Sequence, residues 1–442
     1  MAVTTSVIQS ALSASGGTTD FTTTGRGAPT GAIIQVCEGN TTNNPADDAM
    51  ISIGFWDGTN QRAMGHHDRH GLSTTITKAS RSESRGVIWR DENNNQHEYT
   101  VSAITDGIRL THTVDNTALA RYCTVTLIWG VTTEIVTITN NNTEDATTTS
   151  STLGIEPTGI IFASAGLPSA NTTGNNFKLG LGVAVKNGNK QLGMGSFSRV
   201  NVTTTERTSF YSTNRCGIRM GNDGATQYTL EVTDWGTDTF ELTTRDGTGS
   251  TPHFALVFAD NALDAFSDDT PTSTGTVDHT TNVNVQSLFL LGMLNNSGHN
   301  TTSDSEGLSL GMSDGTNDYC NSLESEDGAT TSSSGSTSYT DRVLDINNAE
   351  VSGGKTNRVQ ATVDSFSGRT VTLDYSVVDT SARGIIGITI GDPVSTATAA
   401  LTLGSLSCEV SATYEAPTRT ATSGLTLPSV LLSASATEVN PV

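Results

Sequence analysis

The chain has 442 residues, 45 of them acidic against 23 basic, for a net charge of −22. An acidic surface without a basic stripe repels nucleic acid and anionic membrane, because phosphate recognition needs clustered Lys and Arg, so neither is expected as a partner. Only 34% of residues are hydrophobic and 5% aromatic, but the apolar ones gather in short alternating runs, which argues against disorder and for thin antiparallel sheets.

The first residues, Met1-Ala2-Val3-Thr4-Thr5, lack the basic region and apolar core of a signal peptide. No segment approaches the run of about 18 apolar residues that spans a membrane. Residues 1–20 read as a small-residue N-terminal arm, with a weak helical pattern over 3–13. Beyond residue 20 the chain nearly repeats itself. Ser52-Ile53-Gly54-Phe55-Trp56-Asp57-Gly58-Thr59-Asn60 returns as Ser309-Leu310-Gly311-Met312-Ser313-Asp314-Gly315-Thr316-Asn317, with six identities in nine positions. The offset is 257 residues, and half of it lands on Leu181-Gly182-Val183, where Gly182 follows Gly54 by 128. Three copies of one unit in series are therefore expected.

The expected fold class is all-β, as three tandem antiparallel β-sandwich modules of jelly-roll-like topology with extended N- and C-terminal arms. Module 1 spans 21–133, module 2 with its linker 134–262, and module 3 with its linker 263–392. About eight strands are expected in each. Every module places an alternating strand (Gly107–Thr111, Thr239–Thr243, Thr370–Asp374) before a closing apolar one (Cys123–Trp129, Phe254–Phe258, Ile385–Ile390). Asp57-Gly58, Asn187-Gly188 and Asp314-Gly315 suit two-residue hairpin turns. Asn140–Ser151 and Ser267–Thr281 read as polar links, and 393–442 as a Ser/Thr/Ala-rich assembly arm.

Candidate chemistry is sparse. His66-His67-Asp68-Arg69-His70 is the densest group of metal-capable side chains. It is read as a solvated loop, with an inter-subunit contact as the next reading and a metal site as the last. The aspartates of 314–318 read as turn chemistry rather than a calcium loop. Four Trp and eight Tyr are spread over the chain rather than lining one groove, as a glycosidase or sugar platform would have them. No Gly-x-Ser-x-Gly elbow or phosphate loop occurs. No catalytic, cofactor-binding or metal residue is therefore named, and neither enzyme activity nor a cofactor is expected. The five cysteines, Cys37, Cys123, Cys216, Cys320 and Cys408, read as buried thiols of a protein made in a reducing cytoplasm. A Cys37–Cys123 bridge stays open.

The recurring pattern starts with Pro-Thr-Gly and an apolar strand (29–36, 157–164) and continues with a Gly-x-x-Asp-Gly hairpin. An Arg/Ser-rich segment such as Arg81-Ser82-Glu83-Ser84-Arg85 comes next, then an Asp-Gly-Ile-Arg-Leu strand. It resembles repeat modules in uncharacterised structural proteins of tailed bacteriophages. The resemblance covers most of 21–392 and is weakest in the third copy, which lacks the Pro-Thr-Gly start. It implies a virion component assembled in the host cytoplasm, whose partners are other virion proteins and copies of itself. An exterior capsid or tail position (decoration, fibre or tail surface) is the expected role. A carbohydrate- or receptor-binding adhesin of the tail, meeting a host-surface glycan or receptor, is the alternative, and a tail depolymerase ranks below it.

Overall fold

The structure is a computed structural model describing residues 2–394, except position 15 and the segments 39–41, 44–45, 91–94, 115–120, 170–171, 222–225, 295–300, 305 and 349–355. The expected C-terminal arm and Cys408 lie outside the described residues, apart from positions 393 and 394. Among the described residues the chain is all β and every strand pairing is antiparallel.

The first repeat comprises β1 (Thr4–Ala11), β2 (Thr18–Thr22), β3 (Gly31–Cys37), β4 (Ala46–Asp47), β5 (Ala49–Trp56), β6 (Gln61–Asp68), β7 (Thr77–Ser82), β8 (Val87–Arg90), β9 (Gln96–Ile104), β10 (Gly107–Val114) and β11 (Tyr122–Trp129). The second comprises β12 (Thr133–Thr139), β13 (Thr147–Thr149), β14 (Gly159–Ser164), β15 (Thr172–Asn175), β16 (Phe177–Val185), β17 (Lys190–Ser198), β18 (Arg207–Ser212), β19 (Gly217–Met220), β20 (Thr226–Trp235), β21 (Phe240–Arg245) and β22 (Pro252–Phe258). The third comprises β23 (Leu263–Asp269), β24 (Gly275–Thr280), β25 (Val283–Met293), β26 (Thr301–Asp304), β27 (Glu306–Ser313), β28 (Asp318–Ser325), β29 (Ser334–Tyr339), β30 (Leu344–Asn348), β31 (Thr356–Ser367), β32 (Thr370–Val377) and β33 (Gly384–Pro393).

Each repeat builds the same two sheets. In the first, the large sheet runs β1-β11-β3-β5-β6-β7 and the small one β2-β10-β9-β8, and the other two repeats follow the same order. A jelly roll passes successive strands between its sheets. Here β3, β5, β6 and β7 follow one another within a single sheet, and β11 returns to lie between β1 and β3. The glycines of the repeat align in register, Gly54 opposite Ile34, Gly182 opposite Phe162 and Gly311 opposite Leu290.

The residues read as an N-terminal arm are β1 and β2, integral to both sheets, and 3–13 is strand rather than helix. Likewise β13 and β24 lie in the two segments read as links. Small polar residues hide these strands, because their partners are more than eighty residues away in the chain.

The large sheets are buried on both faces. Along β5, Met50 and Trp56 join the first repeat's own core, with Ile34, Val125, Val87, Tyr99 and Ile108. The alternate residues Ile51, Ile53 and Phe55 enter a second core shared by all three repeats, with Leu181 and Met194 of the second and Leu291, Leu310 and Ile388 of the third. Burial on both sides explains why strands such as β5, β14 and β22 are apolar along most of their length. The small sheets face outward, and β9 alternates between buried and accessible residues.

A cyclic exchange of strands ties the repeats together. The strand β15 of the second repeat adds to β7 of the first, β26 of the third adds to β18 of the second, and β4 of the first adds to β29 of the third. Three sheets linked in this sense form a closed pseudo-threefold ring in one chain.

Candidate functional site

On the pseudo-threefold axis the ends of β6, β17 and β28 meet. Asp68 Oδ2 accepts hydrogen bonds from Ser198 Oγ (3.0 Å) and Ser325 Oγ (2.9 Å) and pairs with the Arg207 guanidinium at 2.6 Å. All four residues are buried. Just beyond, one bridge is made three times. Thr75 N donates to Val202 O (3.0 Å), Thr205 N to Ala329 O (2.8 Å) and Ser332 N to Leu72 O (2.8 Å). The same three side-chain hydroxyls accept from the backbone of the segment they meet.

The histidine cluster belongs to this region, and only its end, Arg69 and the exposed His70, lies in a loop beyond the strand. His66, His67 and Asp68 lie in β6 and are buried. Burial holds the His66 imidazole down at a pKa of about 3. His67 Nε2 lies 3.6 Å from Asp48, and His70 Nδ1 meets Ser334 of the third repeat. Polar side chains from position 66 onward suggest that the hairpin strand stops before them. The strand runs on to Asp68 because its far end is buried at the axis. No group of three metal-capable residues converges among the described residues.

The four described cysteines are buried thiols. Tyr122 stands opposite Cys37, and Cys123 opposite Val36. That register puts Cys37 and Cys123 on opposite faces of the pleat, which rules out a bridge between them.

The junctions between repeats are where the copies differ. At the first, Asp57 Oδ1 accepts from Thr59 N and Asn60 N within its turn, while Oδ2 accepts from Ile135 N on β12, 2.8 Å away. At the third, Asp314 does the same for Val7 N on β1 at 2.9 Å. These aspartates cap a neighbour as well as a turn. In the second repeat the hairpin pairs Val185 with Lys190, and the carboxylate is gone. Lys190 Nζ instead reaches Asp264 Oδ2 (2.9 Å) and Ala265 O (2.7 Å) on β23.

Equivalent positions follow from a shared bond. Gln61 Oε1 accepts from Val101 N, Gln191 Oε1 from Val232 N, and Asp318 Oδ2 from Val363 N, each at 2.7 Å. The next residue is therefore Arg62, Leu192 or Tyr319. Arg62 crosses the first junction. Its Nη1 donates to Gln61 O (2.9 Å) and Glu83 O (2.6 Å), and its Nε to Thr137 Oγ1 (3.2 Å). Tyr319 crosses the third junction and is hydrogen-bonded to the backbone of Gln9, the counterpart of Thr137. Leu192 is too short to cross the second.

A cleft of about 640 Å3 remains there, lined by residues that include Gln191, Leu192, Thr213, Arg215, Glu231 and Ser267. Its charged walls are already paired, Arg215 Nε with Asp246 at 3.1 Å and Glu231 Oε2 with Arg245 Nε at 2.8 Å. Sequence reasoning missed this cleft. The signal was present in Leu192 and in the loss of the turn aspartate from the second hairpin, but the plug became visible only once the register was known.

Comparison with family models, with curated proteins and with solved structures gave no match.

Proposed function

We propose that the chain is a non-enzymatic structural component of a tailed-phage virion, on the exterior of the capsid or tail, acting by protein–protein assembly. In this reading it is three tandem sandwich modules followed by an assembly arm over 393–442. The observation that carries it is the cyclic strand exchange, in which β4, β15 and β26 each complete a neighbour's sheet. Buried polar chemistry is used to join the repeats, as the Asp68–Arg207 pair on the axis is. A shared core and an acidic outer surface suit a rigid building block exposed to solvent. Labelled antibodies against the purified protein, applied to intact particles from cells carrying the gene, test the proposal. Label at regular exterior positions is the expected result. A protein absent from purified particles would overturn it.

A further inference from the structure

We propose that the open second junction is a binding site for a guanidinium group, that is, an arginine side chain presented by a partner protein segment. The molecule contains its own template for this ligand. At the first junction the same space is filled by Arg62, whose guanidinium donates to two backbone carbonyls and one hydroxyl. The counterparts of Gln61, Glu83 and Thr137 are Gln191, Thr213 and Ser267, and all three line the open cleft. Thr213 is assigned by its place two residues before Arg215, as Glu83 stands before Arg85. Ser267 lies two residues after Ala265, as Thr137 does after Ile135. The walls that hold a guanidinium are thus kept, and the residue that supplied it has become Leu192, which lies buried at the cleft.

Size and charge agree. A volume of about 640 Å3 is within the usual range for a ligand pocket and exceeds what one side chain fills, leaving room for flanking backbone. An incoming cation meets no uncompensated positive charge, since Lys190 is held by Asp264 and Arg215 by Asp246. Asp264 is fully buried and its Oδ1 has no hydrogen-bond partner, and Asp268 and Asp269 directly follow Ser267. The local balance is therefore negative, as is the chain as a whole. A planar fork of donors suits several fixed acceptors better than a lysine ammonium does. An anionic ligand would have to break the Lys190–Asp264 or Arg215–Asp246 pair to find a partner. The inference concerns a partner's side chain and stands apart from whether the assembly is a phage particle.

The test titrates the full-length protein with N-acetyl-arginine amide, its neutral citrulline analogue and glucuronate, followed by NMR. One saturable site per chain is expected for the arginine compound, with citrulline binding about tenfold or more weaker for want of charge-assisted bonds. Leu192→Arg should plug the cleft from within and abolish binding without lowering the melting temperature. Arg62→Leu should open the first junction and raise the stoichiometry from one to two. Equal binding of arginine and citrulline, preferential binding of glucuronate, or undiminished binding to a folded Leu192→Arg protein would each overturn the proposal. If Leu192→Arg fails to fold, the ligand comparison on the unaltered protein decides alone.

Discussion

A single added methyl group tests whether the two sheets of a repeat must touch where they do. A Cβ on Gly54 would stand 1.8 Å from Gly86 O, on Gly182 2.0 Å from Cys216 O, and on Gly311 1.7 Å from Val343 O. Those carbonyls lie in the small-sheet chain crossing the large sheet, and backbone cannot swing away as a flexible side chain can. Each glycine replaced by alanine should cost at least about 1–3 kcal/mol, read as a lowered urea midpoint at unchanged slope. An unchanged midpoint at all three would refute the close approach. The recurrence of these glycines was legible in the sequence, but the reason for it was not, because the crossing chain lies some thirty residues further on. Protonation gives a second test at this scale. Burial holds His66 and His253 down at about 3, against about 6.5 in an unfolded chain. The unfolded state therefore binds a proton on each below about 6.5 that the folded state refuses until about 3. Stability is full above that upper value and falls as pH drops through the window. Glu38, Asp318 and Asp345, raised by burial, act in the opposite sense. His253→Gln should remove about one proton from the linked uptake, measured as a flatter dependence of melting temperature on pH between about 6 and 4. The same slope in both proteins would show that His253 is not held neutral.

Among the elements, β1 shows how much of the fold escaped the sequence. Thr4-Thr5-Ser6-Val7-Ile8-Gln9-Ser10-Ala11 carries only two large apolar residues, so hydrophobic pattern alone made it an arm. Its function is to close the ring. It pairs with β11 along its full length while its other edge meets the third repeat, through Val3 N to Asp392 Oδ1 (2.6 Å), Thr5 Oγ1 to Gln286 O (2.8 Å) and Val7 N to Asp314 Oδ2 (2.9 Å). The apolar closing strands β11, β22 and β33 were legible because they sit between two cores and each carries several large apolar side chains. Strands whose binding is mostly backbone and hydroxyl leave no such mark. Removing residues 1–11 should leave β11 as an open edge, which invites pairing with another chain. The expected outcome is concentration-dependent association in sedimentation velocity, with a lower melting temperature. Asp314→Ala keeps the strand but strips the Val7 N–H and the turn N–H groups of their acceptor, for a smaller loss of about 1–3 kcal/mol. A truncated chain that stays monomeric and equally stable would mean that β1 is dispensable and the ring closes by other contacts.

For the whole molecule, the question is whether three repeats make three folding units or one. The repeat spacing alone suggests three independent domains, each with its own core, and three such cores exist. The shared core changes the energetics. Ile51, Leu181 and Leu310 belong to different repeats yet occupy one apolar cluster. Unfolding one repeat would expose the facing surfaces of the other two, at about 25 cal/mol for each Å2 of apolar surface uncovered. It would also withdraw a strand from one neighbouring sheet and the recipient sheet from another. If that repeat is the first or the second, the Asp68–Arg207 pair is left broken in the interior. Losing one partner of such a buried pair costs about 3–5 kcal/mol in itself. Every intermediate with a single repeat melted loses part of the shared core and two of the three strand exchanges. Residues 1–394 should therefore unfold in one calorimetric transition, with calorimetric and van't Hoff enthalpies equal. Asp68→Ala should lower that one transition rather than split off a first-repeat peak. The arginine it abandons belongs to the second repeat, and one of the two serines it abandons belongs to the third. Three resolved transitions in the unaltered protein, or a variant that melts its first repeat alone, would show that the shared core is a contact between finished domains and not the centre of one fold.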